Sequence, residues 1–326
     1  MFRSGLAIAA GVLWASTANA QQQTPPVNPS FAELSSTEIK TTMLGDGVYA
    51  LESHGGNIAV ATAKEGLIMV DCGPAALHDR VKAAVAAISH QRVKYVINTH
   101  FHADHVGGNE FFAKNGAIVV SEVHVRNRLA AGTTNGLTGA KTPPAAVGAL
   151  PTKTYNGSFR IKLDGRTADL NHIANAYTDG DTFVWFKTAN VLVTGDTFTN
   201  GRYPDIDFAN GGNIDGLIAA GDTYLKLTDT KTKIVPGHGP VADKAELLDY
   251  YTMLEVARDR MESLLQEGKS EEEVVAARPF ADFDAKWAPT ELAGRNFVRV
   301  LYRSLAEKPA QPKKPTQLLR QVVHRN

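Results

Sequence analysis

Thr99-His100-Phe101-His102-Ala103-Asp104-His105-Val106-Gly107-Gly108-Asn109 is the stretch that decides the fold. It sets three imidazoles and one carboxylate within the six residues 100–105. Packing alone does not explain that density, because burying His and Asp together costs free energy unless each is paired or bound to a metal. The apolar run Tyr95-Val96-Ile97 leads in like a buried strand, and Gly107-Gly108 follows like the turn into a helix. The cluster therefore sits on a short loop at a strand end, where open sheets carry their chemistry. In an extended segment alternate residues point the same way, so His100 and His102 can grip one ion. Asp104 continues that phase and His105 breaks it, so one segment can serve two adjacent metal positions. His, His and a carboxylate are zinc ligands, and two zincs roughly 3.5–4 Å apart form a hydrolytic clamp.

Working outward, 47–53, 57–63 and 67–71 read as strands around Gly55-Gly56 and the turn Lys64-Glu65-Gly66. Leu77, Val81, Val85 and Ile88 recur at helical spacing. Short strands follow at 118–120, 159–162, 166–170, 182–186 and 191–193. Residues 132–151, rich in Gly, Thr, Pro and Ala, form a long connection that suits a substrate loop and a spacer equally. Leu247, Tyr250, Leu254, Ala257, Met261 and Leu264 predict a long amphipathic helix ended by Gly268. Ser270 with Glu273 is a capping box opening the next, and 296–304 suits a last helix. These helices read as packing or homodimer surface.

The chain has 326 residues, with 34 Lys and Arg against 34 Asp and Glu. That balance disfavours nucleic acid as a partner. Arg3, the apolar run 6–14 and Ala18-Asn19-Ala20 read as a secretory signal over 1–20, leaving a mature chain from Gln21 in the periplasm or outside the cell. The run is too short to span a membrane, and no anchor is expected after cleavage. Residues 21–38 read as a disordered lead-in and 308–326 as a polar tail. Cys72 is the single cysteine, so no internal disulfide forms, and it reads as a buried hydrophobe.

His100-x-His102-x-Asp104-His105 resembles the signature of the metallo-β-lactamase superfamily. Later segments are similar in the expected order. Thr194-Gly195-Asp196-Thr197 after the apolar 191–193 resembles the family's bridging aspartate at a strand end. Val235-Pro236-Gly237-His238-Gly239-Pro240 resembles the segment of its last metal histidine. The resemblance runs over about 42–242. It implies an α+β fold, a four-layer αβ/βα sandwich over 39–242, with C-terminal helices over 243–307 packed on it. It implies metal ligation by His100, His102, Asp104, His105, Asp196 and His238, with Asp71 supporting the site and one or two Zn²⁺ per chain.

One position departs from the family. Asn175-Ala176-Tyr177-Thr178-Asp179-Gly180-Asp181-Thr182 puts Tyr177 where a third histidine of the first metal position is usual. Three roles are open: the first position is weak, Tyr177 binds as phenolate, or its hydroxyl donates a hydrogen bond to substrate or to a developing oxyanion. His172 is a supporting histidine. Arg202 and Tyr203, soon after Asp196, are candidate substrate contacts, since an arginine fork matches a carboxylate.

The reading is a secreted zinc-dependent hydrolase. A metal-bound hydroxide, oriented by Asp104, attacks the carbonyl of a small β-lactam, lactone, ester or thioester. The alternatives are a non-catalytic zinc-binding scaffold and an iron-dependent sulfur oxidation.

Overall fold

Apolar runs in the first half of the chain build the first sheet. The computed structural model describes residues 38–306; the signal-like segment, nearly all of the lead-in and the polar tail lie outside the described residues. Strands β1 (Lys40–Gly45), β2 (Val48–Glu52), β3 (Ile58–Ala63) and β4 (Gly66–Val70) pair antiparallel in sequence order. β5 (Val93–Ile97), β6 (Ile118–Glu122) and β9 (Lys153–Tyr155) then extend that sheet in parallel to seven strands. The connection 132–151 holds a small hairpin of its own, β7 (Thr133–Thr134) with β8 (Lys141–Thr142). The second sheet has five strands in sequence order: β10 (Ser158–Leu163), β11 (Arg166–His172), β12 (Thr182–Phe186), β13 (Val191–Thr199) and β14 (Lys233–His238). Its first pairs are antiparallel, and β13 with β14 is parallel.

Helices α1 (His78–Ile88), α2 (Ala103–Val106), α3 (Asn109–Lys114) and α4 (Val123–Ala131) belong to the first half of the chain. α5 (Ile214–Leu227), α6 (Lys244–Gln266), α7 (Glu271–Ala277), α8 (Ala281–Trp287) and α9 (Glu291–Ala306) belong to the second. α6 and α7 each start with a full capping box, Asp243 with Glu246 and Ser270 with Glu273.

Strand periodicity sorts the core into three layers. Neighbours along a strand face opposite ways. Ala61, Val70 and Ile97 therefore meet Leu170, Val184 and Val193 between the sheets. Val60, Met69 and Val96 face outward onto Leu77, Val81 and Phe112. Phe183, Leu192 and Ile234 face the other way, onto Leu217, Tyr224 and Leu254 of the later helices. The result is helix, sheet, sheet, helix: the α+β sandwich that the resemblance implied.

β13 differs from its sequence reading. It continues to Thr199 rather than ending at Val193, because β14 runs beside it in parallel. Gly195, at φ +55°, breaks the register inside it, and a Cβ there would lie 2.6 Å from that of Thr99. Asp196 thus sits within a wholly buried strand. The C-terminal ends of β4 and β5 in one sheet and the C-terminal parts of β13 and β14 in the other all come to one edge of the sandwich.

Candidate metal centre

At that edge the backbone first spends strain. Asp71, just past β4, holds φ at +60°, a left-handed conformation that costs an ordinary residue roughly 1–2 kcal/mol. The buried carboxylate offsets this by accepting three hydrogen bonds: the Thr99 amide at 2.8 Å, the Thr99 hydroxyl at 2.7 Å and His105 Nδ1 at 2.8 Å. Each imidazole of the motif is held in the same way, by an oxygen at one nitrogen. His105 gives Nδ1–H to Asp71. His100 gives Nδ1–H to the Thr99 hydroxyl at 3.1 Å, and His102 gives Nε2–H to Asp207 at 3.0 Å. Anchoring one ring nitrogen aims the other, which is how metal-binding histidines are oriented.

The free ends converge. His105 Nε2 lies 3.1 Å from Asp196 Oδ1, 3.4 Å from His238 Nε2 and 3.7 Å from Asp104 Oδ2. His238 Nε2 lies 3.1 Å from Asp104 Oδ2 and 3.6 Å from Asp196 Oδ2. Ligand atoms on a tetrahedral ion with bonds of about 2.0–2.1 Å stand roughly 3.3 Å apart. His105, His238 and Asp104 therefore match three edges of such a cage, and Asp196 adjoins it through His105, with which it forms a second group that includes His100. His100 Nε2, 3.8 Å from Asp196 Oδ2, adjoins it. In this group His100 Nε2 is buried without a hydrogen-bond partner, while Asp196 Oδ1 faces His105 Nε2 at 3.1 Å. A buried orphan of that kind costs about 1–3 kcal/mol, and a cation bound to it removes the cost.

Glycine makes the cage possible. A Cβ at Gly237 would lie 1.9 Å from Asp196 Oδ1, so only a residue without a side chain fits behind that carboxylate. Asn57 fixes the same turn, its Nδ2 donating to the carbonyls of Pro236 at 3.0 Å and Gly239 at 2.7 Å.

The charges are arranged to balance. Burial opposes a proton on His105, but Asp196, Asp104 and Asp71 outweigh it and hold the imidazole well above its ordinary range. Burial likewise opposes a charge on His238, while Asp196 and Asp104 lift it to about 9. Burial works against ionising Asp104 and Asp196, yet His105 and His238 keep both below the usual carboxylate range. His100, held down by burial and then by His105, stays neutral. Two imidazolium charges thus face two carboxylates in the protein alone.

Tyr177 lies beside the first position without joining the cage. Its ring is buried and stands edge-on to His100 and His102, with centroids 5.2 Å away in each case. Its hydroxyl is 3.3 Å from His102 Nδ1, the nitrogen that His102 would offer a metal. Burial first, then Asp196, Asp205, Asp104 and Asp207, push its pKa well above the phenol value, so it stands as a neutral donor. Asp181 carries the loop beneath it, accepting from the Tyr177 amide at 2.6 Å, the Thr178 amide at 2.8 Å and the Thr178 hydroxyl at 2.6 Å.

Other predicted residues fall elsewhere. His172 donates Nε2–H to the Asp179 carbonyl at 2.9 Å and stacks on His124, away from the cage. Arg202 is exposed. Tyr203 does not suit the substrate contact expected of it. Its ring stacks on Phe297 at 4.2 Å, and its hydroxyl donates to Asp284 at 3.1 Å, which makes it a packing residue for the last helices. Cys72 is buried, with Sγ 3.2 Å from Asn109 Oδ1, and burial followed by Asp71 raises its pKa.

Sequence reasoning assigned no role to Thr99, Asp181 or Asp207. Asp207 offered a signal, as one of the acidic residues directly after Asp196. Thr99 and Asp181 offered none, because their work depends on what the fold brings opposite them.

Comparison with known proteins agrees with this fold. The family profile described as the metallo-beta-lactamase superfamily matches residues 53–238. A Beta-lactamase-like protein 2 homolog of Caenorhabditis elegans is 24% identical over 291 residues, covering 83% of this chain and 85% of that protein. Among solved structures, a metallo-beta-lactamase from Pontibacter korlensis superposes with a TM-score of 0.55 at 18% identity, over 67% of this chain and 99% of that one. A stereoselective inverting sec-alkylsulfatase from Pseudomonas sp. reaches 0.59 at 16% identity, over 83% of this chain and 51% of that one. At these identities the structures show a shared fold.

Proposed function

The chain belongs to the metallo-beta-lactamase superfamily, and from that premise we propose that it is a secreted zinc-dependent hydrolase of small acyl compounds: β-lactams, lactones, esters or thioesters. One observation carries the reading. His105, His238 and Asp104 stand 3.1–3.7 Å apart, at the edge lengths of a tetrahedral zinc cage, and Asp196 adjoins them at 3.1 Å from His105 and 3.6 Å from His238. We assign the tight ion to these four. The His100–His102 position is weaker, because Tyr177 occupies the free nitrogen of His102.

When bound, zinc supplies Lewis acidity that polarises a carbonyl and lets water act as hydroxide near neutral pH. The chain does the rest. Asp104, with its side chain 39% exposed, is the carboxylate on the solvent side, placed to orient a water molecule and accept its proton. Asp71 acts through His105 by fixing its ring. The neutral phenol of Tyr177 can turn its single proton from His102 Nδ1 to negative charge developing on the substrate oxygen. Arg202, exposed after β13, is the candidate partner of a substrate carboxylate. Export to the periplasm or beyond rests on the N-terminal segment, and no helix among the described residues is long and apolar enough to cross a membrane.

The test is metal counting by mass spectrometry on purified mature protein, with a panel of a reporter cephalosporin, lactones, esters and thioesters. A single tight zinc, with turnover lost on chelation and restored by zinc, is the expected result. Full zinc with no turnover on any member, or iron in place of zinc, overturns the proposal.

A further inference from the structure

A second group of metal-binding side chains lies outside the cage. Glu122 ends β6, His124 follows in the first turn of α4, and His172 ends β11 of the other sheet. One ring nitrogen of each histidine and one Glu122 oxygen lie within 4.8 Å of one another. The two rings stack at 5.9 Å with an interplanar angle of 27°.

Three features go beyond proximity. Glu122 is fully buried, an unusual place for a carboxylate, and its Oε1 has no hydrogen-bond partner. Its Oε2 accepts the His124 amide at 2.5 Å and lies 2.9 Å from His124 Nδ1. His172 gives Nε2–H to the Asp179 carbonyl, which leaves Nδ1 unprotonated, the arrangement that orients a ligating histidine. The His124 side chain is 46% exposed, so an ion can enter from solvent and the ring can turn to close on it.

We propose that Glu122, His124 and His172 form a second, peripheral site for a borderline divalent transition ion such as Zn²⁺, separate from the central cage. Two imidazoles and one carboxylate suit that class of ion, with water completing the shell. A bound ion would join the end of β6 to the end of β11 across the two sheets. Through the His172–Asp179 hydrogen bond it would also tether the segment that carries Tyr177.

The test uses untagged holoprotein with the central site filled. Equilibrium dialysis against excess Zn²⁺ should find a weaker equivalent per chain that is separate from any taken by the His100–His102 position. His124→Ala should remove it while the central zinc and hydrolysis stay unchanged. Glu122→Gln, which keeps an oxygen to cap α4, should weaken it at least about tenfold. Amide exchange over residues 173–181 should slow with the extra equivalent in the parent and not in His124→Ala. Equal zinc binding up to millimolar zinc by the parent and His124→Ala overturns the proposal.

Discussion

Replacing Tyr177 separates the roles that its position allows. The hydroxyl makes one long contact, 3.3 Å to His102 Nδ1, and contributes none of the cage edges. A hydrogen bond of that kind is worth about 1 kcal/mol net. Tyr177→Phe should therefore leave the tight zinc in place and cost about 1 kcal/mol of stability. It should strengthen binding at the His100–His102 position by no more than about fivefold, since 1.4 kcal/mol is tenfold. If the phenol donates to the developing oxyanion, kcat should fall about 10²-fold with KM little changed. Tyr177→His supplies the missing nitrogen and should bring in a second zinc. The assays are zinc per chain after dialysis, denaturant unfolding and steady-state kinetics on the best substrate of the panel. Loss of the tight zinc from the Phe variant would mean that a phenolate holds it. An unchanged kcat would remove Tyr177 from the chemistry.

Asp71→Asn keeps a residue that tolerates left-handed backbone but removes the charge that holds His105, so zinc affinity should drop about 10–100-fold in competition with a chelating dye; a drop under threefold would contradict the role given to Asp71. Gly237→Ala places a Cβ 1.9 Å from Asp196 Oδ1 and should strip the tight zinc and cost about 1–3 kcal/mol, read by metal analysis and thermal unfolding; a variant with full zinc would show that the carboxylate need not sit there. In chelator-treated protein, His238 has a folded pKa of about 9 against an ordinary 6.5. Its stabilisation is complete below pH 6.5 and is lost as pH rises through 9, a fall of about 3 kcal/mol. Urea unfolding at the two ends of that window should show the fall, and His238→Asn should flatten it; equal stability at both ends would refute the pairing.

The motif 100–105 was legible because its residue types are costly anywhere but at a binding site, and the strands beside it because their apolar runs are short and bounded by turns. The four-layer arrangement followed from resemblance rather than from periodicity alone. The extent of β13 was not legible. Thr194 to Thr199 is polar on its face, and only the parallel partner β14 and the enclosing layers keep it extended and buried. Tyr203 misled because nearness in sequence to Asp196 does not set direction, and Phe297, far along the chain, claims its ring. Thr99 and Asp207 act through contacts 28 and 105 residues away, which no local pattern encodes.

The balanced charges at the cage bear on how the protein matures. The carboxylates that would face a cation hold protons on His105 and His238 in its absence. Metal loading is then an exchange of protons for an ion, and it acidifies an unbuffered solution as it proceeds.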